Sequence, residues 1–239
     1  MSTLDASSQT NKESRYEVAH RSYFGRAQYN FADKYLFEAN VRIDGSSRFA
    51  SGNRWGTFPA FSAGWRITEE EFMKNAGLDW LSNLKLRAGW GQTGNEELKD
   101  EEAYLTVPSY AYDKYMFGNT LYSTIKESRY ANQELKWATV TSIEGAIEAS
   151  FFNNKVGFEL AGYKKTTNDM LLLLPVQGIF GMDAPRQNAG KVQNTGFDLS
   201  IFHNNSISKD FRYDINFNIA YVRNELVDLM DTEGKEPGD

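Results

Sequence analysis

The chain has 239 residues and a net charge of −6, from 26 Lys+Arg against 32 Asp+Glu, so it offers no strongly basic surface for non-specific nucleic-acid binding. It has no Cys and 2 His, which excludes disulfides, thiolate zinc sites and thiol catalysis and leaves imidazole chemistry thinly supplied. Aromatic residues reach 14% with only 5 Pro, a strand-rich composition; no window approaches the ~20 apolar residues of a membrane helix, a test that is blind to strands alternating apolar and polar.

Residues 1–16 read as a polar extension without the apolar core and small-residue cleavage site of a secretory leader, which fits a cytosolic start or an internal piece of a longer chain. Period two then begins. Over 21–31, Tyr23, Ala27, Tyr29 and Phe31 oppose Arg26, Gln28 and Asn30. Over 34–44, Tyr35, Phe37, Ala39, Val41 and Ile43 oppose Glu38, Asn40, Arg42 and Asp44. Side chains in a strand point alternately to opposite faces, so each segment has one apolar and one polar side; a helix would mix them. A noisier strand follows over 56–67, and 68–83 carries Glu69-Glu70-Glu71-Phe72-Met73, read as a helical turn. Over 83–93, Leu84, Leu86, Ala88 and Trp90 oppose Lys85 and Arg87; over 137–152, Ile143, Ile147 and Ala149 oppose Glu144 and Glu148. The 155–166 segment puts Tyr163 on the nominally polar side, and 191–203 and 211–223 alternate cleanly.

That makes about eight strands, most of them longer than the ordinary ~5–6 residues and long enough to cross a bilayer at a tilt. Short links (Ala32-Asp33, Asn153-Asn154, 204–210) alternate with long ones (45–55, 94–136, 168–190). Such alternation gathers the long loops at one end of an up-and-down sheet, as in outer-membrane barrels. No helix or second strand set is left over to cover the apolar side, so lipid is the most economical cover. The fold expected is all-β: an antiparallel up-and-down transmembrane β-barrel segment over 17–229, with a polar extension at 1–16 and a polar tail at 230–239. A small complete eight-stranded barrel of structural or adhesive role, and a soluble all-β carbohydrate-binding module, are the alternatives.

Several strings carry a family likeness. Arg21-Ser22-Tyr23-Phe24-Gly25-Arg26, Arg42-Ile43-Asp44-Gly45-Ser46-Ser47-Arg48-Phe49 and Asn53-Arg54-Trp55-Gly56 are among them. Leu84-Lys85-Leu86-Arg87-Ala88-Gly89-Trp90-Gly91-Gln92-Thr93-Gly94-Asn95, Asn188-Ala189-Gly190 and Asn194-Thr195-Gly196-Phe197 extend it. Together they resemble SusC/RagA-like TonB-dependent outer-membrane transporters of the Bacteroidetes type. The resemblance implies a barrel of about 22 strands around a plug domain, energised by the TonB complex. It also implies a SusD-like surface lipoprotein as partner, oligosaccharide or peptide as cargo, and a Gram-negative outer membrane as location. The plug, the segment gripped by TonB and the aromatic-ended closing strand have no counterpart in these residues. The chain is therefore expected to be a central-to-late slice that does not transport alone.

Candidate sites are few. Gly89-Trp90-Gly91-Gln92-Thr93-Gly94 fits a dinucleotide pattern, but the acidic run that follows would set carboxylates beside a pyrophosphate, and a glycine-rich strand end is the better reading. The acidic clusters 69–71 and 100–102 lack calcium-loop spacing, and His20 and His203 lack a metal motif; no metal, cofactor or catalytic constellation is expected. Candidates for ligand or partner contact are the loop aromatics Tyr104, Tyr110, Tyr112, Tyr115, Phe117 and Tyr122, with Trp55 and Arg48 in the 45–55 loop. The polar strand positions Arg26, Gln28, Glu38, Asn40, Arg42, Arg66, Lys85, Arg87, Glu144 and Glu148 are expected to face a wet lumen, mostly as cross-strand ion pairs.

Overall fold

A computed structural model describes residues 15–96, 98–99, 102–174, 181 and 184–229. The strands are β1 (His20–Phe31), β2 (Tyr35–Ser46), β3 (Trp55–Arg66), β4 (Leu81–Asn95), β5 (Ser109–Phe117) and β6 (Thr120–Arg129). The chain continues with β7 (Ala138–Phe151), β8 (Val156–Asn168), β9 (Leu171–Leu173), β10 (Arg186–Asn188), β11 (Lys191–Ser206) and β12 (Arg212–Asp228). Between β3 and β4 lie a 3-10 turn, Ile67–Glu69, and one short helix, α1 (Glu71–Lys74). This is the helical turn that its sequence suggests.

Eight of the strands form one antiparallel sheet in the order β1-β2-β3-β4-β7-β8-β11-β12. Every neighbour is also the next wall strand along the chain, which makes the sheet a meander. β1 and β12 are its edges and do not pair with each other, so the sheet is open and the closed eight-stranded barrel is not formed. Nor does a second layer cover the sheet among the described residues: β5–β6 and β9–β10 are small separate ladders within the long connections.

Register explains the two-sidedness. Tyr29 pairs with Phe37, Phe37 with Ala63 and Ala63 with Ala88, all on one face. Farther across the sheet, Ile147 pairs with Leu160, Leu160 with Leu199 and Leu199 with Ile219 on that same face. A slip of one residue in any strand would turn its apolar set to the other side. The short turns suit some of their residues and not others: Asp33, Asn153 and Asn154 take the positive φ that such residues tolerate, while Ala32 at 53° and Phe152 at 53° are held there against their preference. The second turn is thus wider than the Asn153-Asn154 pair alone, with Phe152 drawn into it.

Tyr163 does face the polar side, opposite Glu144 and Gly196. A Cβ on Gly196 would meet the Tyr163 hydroxyl at 2.7 Å, so the missing side chain makes room for the ring. Lys164 faces the apolar side beside Ile143, near the loop end, where its ammonium can reach out to polar surroundings.

The buried core does not lie under the sheet. It sits among the long connections, where Phe49, Leu105, Leu135 and Leu171 pack together with Leu98 and Trp137 against them. The tails proposed at 1–16 and 230–239 fall almost wholly outside the described residues.

Candidate functional site: a two-faced wall and a braced loop base

The apolar face is uncovered. Phe37, Phe61, Ile143 and Phe217 each remain more than half exposed, at 51%, 54%, 55% and 55%. Contiguous apolar exposure on this scale marks a surface that meets something apolar. Aromatic pairs bound it at both ends. Tyr23 stacks with Trp55 at 6.0 Å near the loops, and Phe31 with Tyr35 at 6.4 Å near the turns. From Tyr35 to Gly45 the strand runs about 33 Å at ~3.3 Å per residue. At a tilt of ~40° that is a band about 25 Å tall, the height outer-membrane barrels present to lipid.

The opposite face carries all of the lumen-facing candidates. Gln28 pairs with Glu38, Arg26 with Asn40, Arg66 with Lys85, Lys85 with Glu148, Gly64 with Arg87 and Gly89 with Glu144. Glu38 accepts from Arg26 Nη2 at 2.6 Å, Gln28 Nε2 at 2.6 Å and Asn40 Nδ2 at 2.7 Å. Arg42 donates to Asp44 at 2.7 Å. Glu148 accepts from Lys85 and Arg87 at 3.2 Å, and Arg87 also donates to Glu159 at 2.9 Å. Glu159 completes this network, but the irregular pattern around Tyr163 hid it in the sequence. Arg66 reaches Glu69 at 3.5 Å at the strand end. Most of these groups are bound to one another, as cross-strand pairing predicts.

The contact candidates separate into three places. Trp55 is the first residue of β3 rather than a loop residue, and its ring belongs to the apolar face over Gly45, where a Cβ would meet it at 2.7 Å. Tyr104 lies at the loop base, its hydroxyl accepting from Glu17 N at 3.1 Å. The others sit on the β5–β6 hairpin, which the sequence reading left as loop. Tyr115 pairs with Tyr122 beside Phe117 on one hairpin face, while Tyr110 and Tyr112 share the other with Met116 and Ile125. Tyr112 is 88% and Phe117 73% exposed. A two-stranded ribbon is marginally stable alone, so these rings are available surface rather than core.

Beneath the hairpin the long connections are cross-braced. Asn188 donates to the Lys136 and Asp169 carbonyls at 2.7 and 2.9 Å, and its Oδ1 accepts from Lys136 N at 2.9 Å. Asn132 Nδ2 donates to Arg186 O at 2.8 Å and Trp137 Nε1 to Arg54 O at 3.1 Å. Arg48 is 6% exposed and donates to Leu98 O at 2.5 Å, so it is a structural brace rather than an open ligand contact. Arg186 donates to Glu102 at 2.5 Å. Burial pushes the Glu102 carboxyl up, but Arg186 and the Lys99 amide outweigh it and hold it below its ordinary range. Of the acidic run 100–102, only Glu102 lies among the described residues. Leu171, in the apolar run Met170–Val176, is buried in this base; Pro175 and Val176 fall outside the described residues.

At the turn end Glu70 is a second hub. Its carboxylate accepts from Tyr35 Oη at 2.6 Å, Trp65 Nε1 at 3.1 Å and Lys34 Nζ at 3.1 Å. Those hydrogen bonds, Tyr35 first, hold its carboxyl below the ordinary value. A depressed carboxylate stabilises the fold above the unfolded pKa of ~4.3 and loses that contribution as pH falls through the folded value. Hydrogen-exchange protection of the 67–74 segment, taken relative to the intrinsic rate at each pH, should therefore fall in acid, and Glu70→Gln should flatten that profile. An unchanged acid profile in the variant would remove Glu70 as the cause.

Among the described residues no group of His, Asp and Glu could hold a metal ion, and no helix is long and apolar enough to cross a membrane. Known proteins share the arrangement. The model of the family described as TonB dependent receptor-like, beta-barrel, matches residues 2–239. The TonB-dependent receptor SusC of Bacteroides thetaiotaomicron is 40% identical over 212 residues, 87% of this chain and 21% of that protein. A TonB-dependent receptor of Formosa agariphila is 35% identical over 217 residues, 91% of this chain and 20% of that protein. The structure of the RagAB peptide importer in its closed-closed state superposes with a TM-score of 0.81 at 30% identity, over 96% of this chain and 24% of that one. This chain thus spans about a fifth of the length of these curated relatives. On the family match and the shared sheet, the chain belongs to the TonB-dependent receptor-like β-barrel family.

Proposed function

We propose that this chain is part of the wall of a SusC/RagA-like TonB-dependent transporter in a Gram-negative, Bacteroidetes-like outer membrane, importing oligosaccharides or peptides. The observation that carries this is the sheet itself: one uncovered apolar face about 25 Å tall backed by a face of paired charges. The apolar face meets lipid. The face bearing Arg26, Gln28, Glu38, Asn40, Arg42, Arg66, Lys85, Arg87, Glu144 and Glu148 lines the lumen. Residues 17–229 act as barrel segment, flanked by polar stretches. The role is transport rather than catalysis, and it needs the rest of the barrel: a plug to engage TonB, and a SusD-like surface lipoprotein over the loops. The name of the RagAB importer supports peptide cargo and the likeness to SusC leaves oligosaccharide equally open, so both belong in the test.

The hairpin rings Tyr110, Tyr112, Tyr115, Phe117 and Tyr122 are the proposed contacts for cargo or lipoprotein, with Tyr104 at their base and Trp55 on the lipid side. In the whole transporter, Tyr112→Ala with Tyr115→Ala should weaken uptake or partner binding by about 2 kcal/mol, roughly thirtyfold, if these rings are hot spots. Unchanged uptake and binding removes the hairpin from the site. Cell fractionation tests the larger reading: a parent protein found in the soluble fraction, with oligosaccharide and peptide uptake unaffected by its deletion, ends it.

A further inference from the structure

The 67–80 connection is longer than a turn-end link needs, and the transport reading leaves it unused. Both of its ends are fastened to the apolar side of the sheet. At the first, Glu70 binds Tyr35 and Trp65, which are cross-strand partners in the last row of the apolar face. At the other, Trp80 stacks on Phe151 at 5.7 Å and 15°, and Phe151 stacks on Phe158 of the same face at 6.3 Å. Phe152 N donates to Trp80 O at 2.8 Å and ties in the neighbouring turn. Between these fastenings Phe72 remains 60% exposed, and Trp80 itself 49%. Two of its acidic residues are matched locally: Glu69 lies 2.9 Å from Lys74, and Glu70 3.1 Å from Lys34.

We propose that this connection is an interfacial anchor, lying in the phospholipid headgroup layer at the turn end with Phe72 and Trp80 reaching the acyl boundary. The inference rests on the membrane reading above. Two features select lipid as the occupant. The segment continues the row where the apolar band ends. Its flanking rings are Trp and Tyr, whose apolar bodies and polar tips suit a bilayer interface. Of the other turn-end links, those through Asp33-Lys34 and Ser208-Lys209-Asp210 are polar at their tips and suit water, while the 152–155 turn, tied to Trp80, carries Phe152 at 58% exposure.

Nitroxide labels at Phe72→Cys, Lys209→Cys and Phe61→Cys in the whole barrel test this, in vesicles of phosphatidylethanolamine and phosphatidylglycerol. Each labelled protein is first shown to be folded by its heat-dependent gel shift. The ratio of oxygen to nickel-chelate accessibility should be high at 61, low at 209 and intermediate at 72. A label at 72 as water-accessible as that at 209, with 61 still in lipid, overturns the anchor and leaves the membrane reading standing. Water accessibility at both 61 and 72 overturns the two together.

Discussion

Phe49→Ala should unlock the loop base without dissolving the wall. Phe49 is 1% exposed and packs on Trp137 at a ring distance of 5.3 Å, beside Leu105, Leu135 and Leu171. Truncating a buried Phe costs about 3–5 kcal/mol through lost transfer energy and the cavity left behind. That loss falls on contacts between connections, since Phe49 belongs to the link between β2 and β3 while its neighbours come from the links after β4 and β8. In the whole barrel, hydrogen exchange over 132–137 should speed up by about a hundredfold or more, at tenfold per 1.4 kcal/mol. Exchange along β2 and β3 should stay slow. Equal protection of 132–137 in the variant would mean that the base is not held by this core.

The second large effect separates the faces. Ala39 and Ser62 lie on adjacent strands and point to opposite sides: Ala39 sits between Ala27 and Phe61, Ser62 between Glu38 and Gly89. Ala39→Arg places a guanidinium near the middle of the apolar band, which costs about 2–4 kcal/mol at a bilayer midplane. Ser62→Arg places the same group beside the Glu38 carboxylate, where a wet, charged surface accepts it. Folding into phosphatidylcholine vesicles, followed by denaturant titration, should show the first variant destabilised by that amount and the second close to the parent. Equal effects would sink the lipid-facing assignment.

Much of the wall was legible in the sequence because alternation is a local signal. In β2, β4 and β12 every second residue is apolar over many positions, and the observed pairing keeps those residues on one face. β5 and β6 escaped because neither hairpin face is consistently apolar: Tyr112 and Lys114 share one, Asp113 and Tyr115 the other. The Gly118-Asn119 turn was the signal that could have found them, since Gly118 sits at a φ of 62°. The loop base was out of reach for a different reason. Phe49, Leu105 and Leu135 belong to no alternating pattern and Leu171 to a continuous apolar run, and only the sheet order brings their connections together. The string Arg42 to Phe49 was noticed for its family likeness, and its physical role is now visible: Ser46, Arg48 and Phe49 are all buried at that base.

A shared foundation limits how these outer segments can be exchanged. Because Asn188 joins the link after β8 to the one after β4, and Trp137 joins the latter to Arg54, no single link can be transplanted from a relative without stranding its neighbours' partners. The ribbon from Ser109 to Arg129 stands clear of those joints. Swapping that ribbon alone is the cut at which recognition can be recoded while the architecture below it is inherited intact.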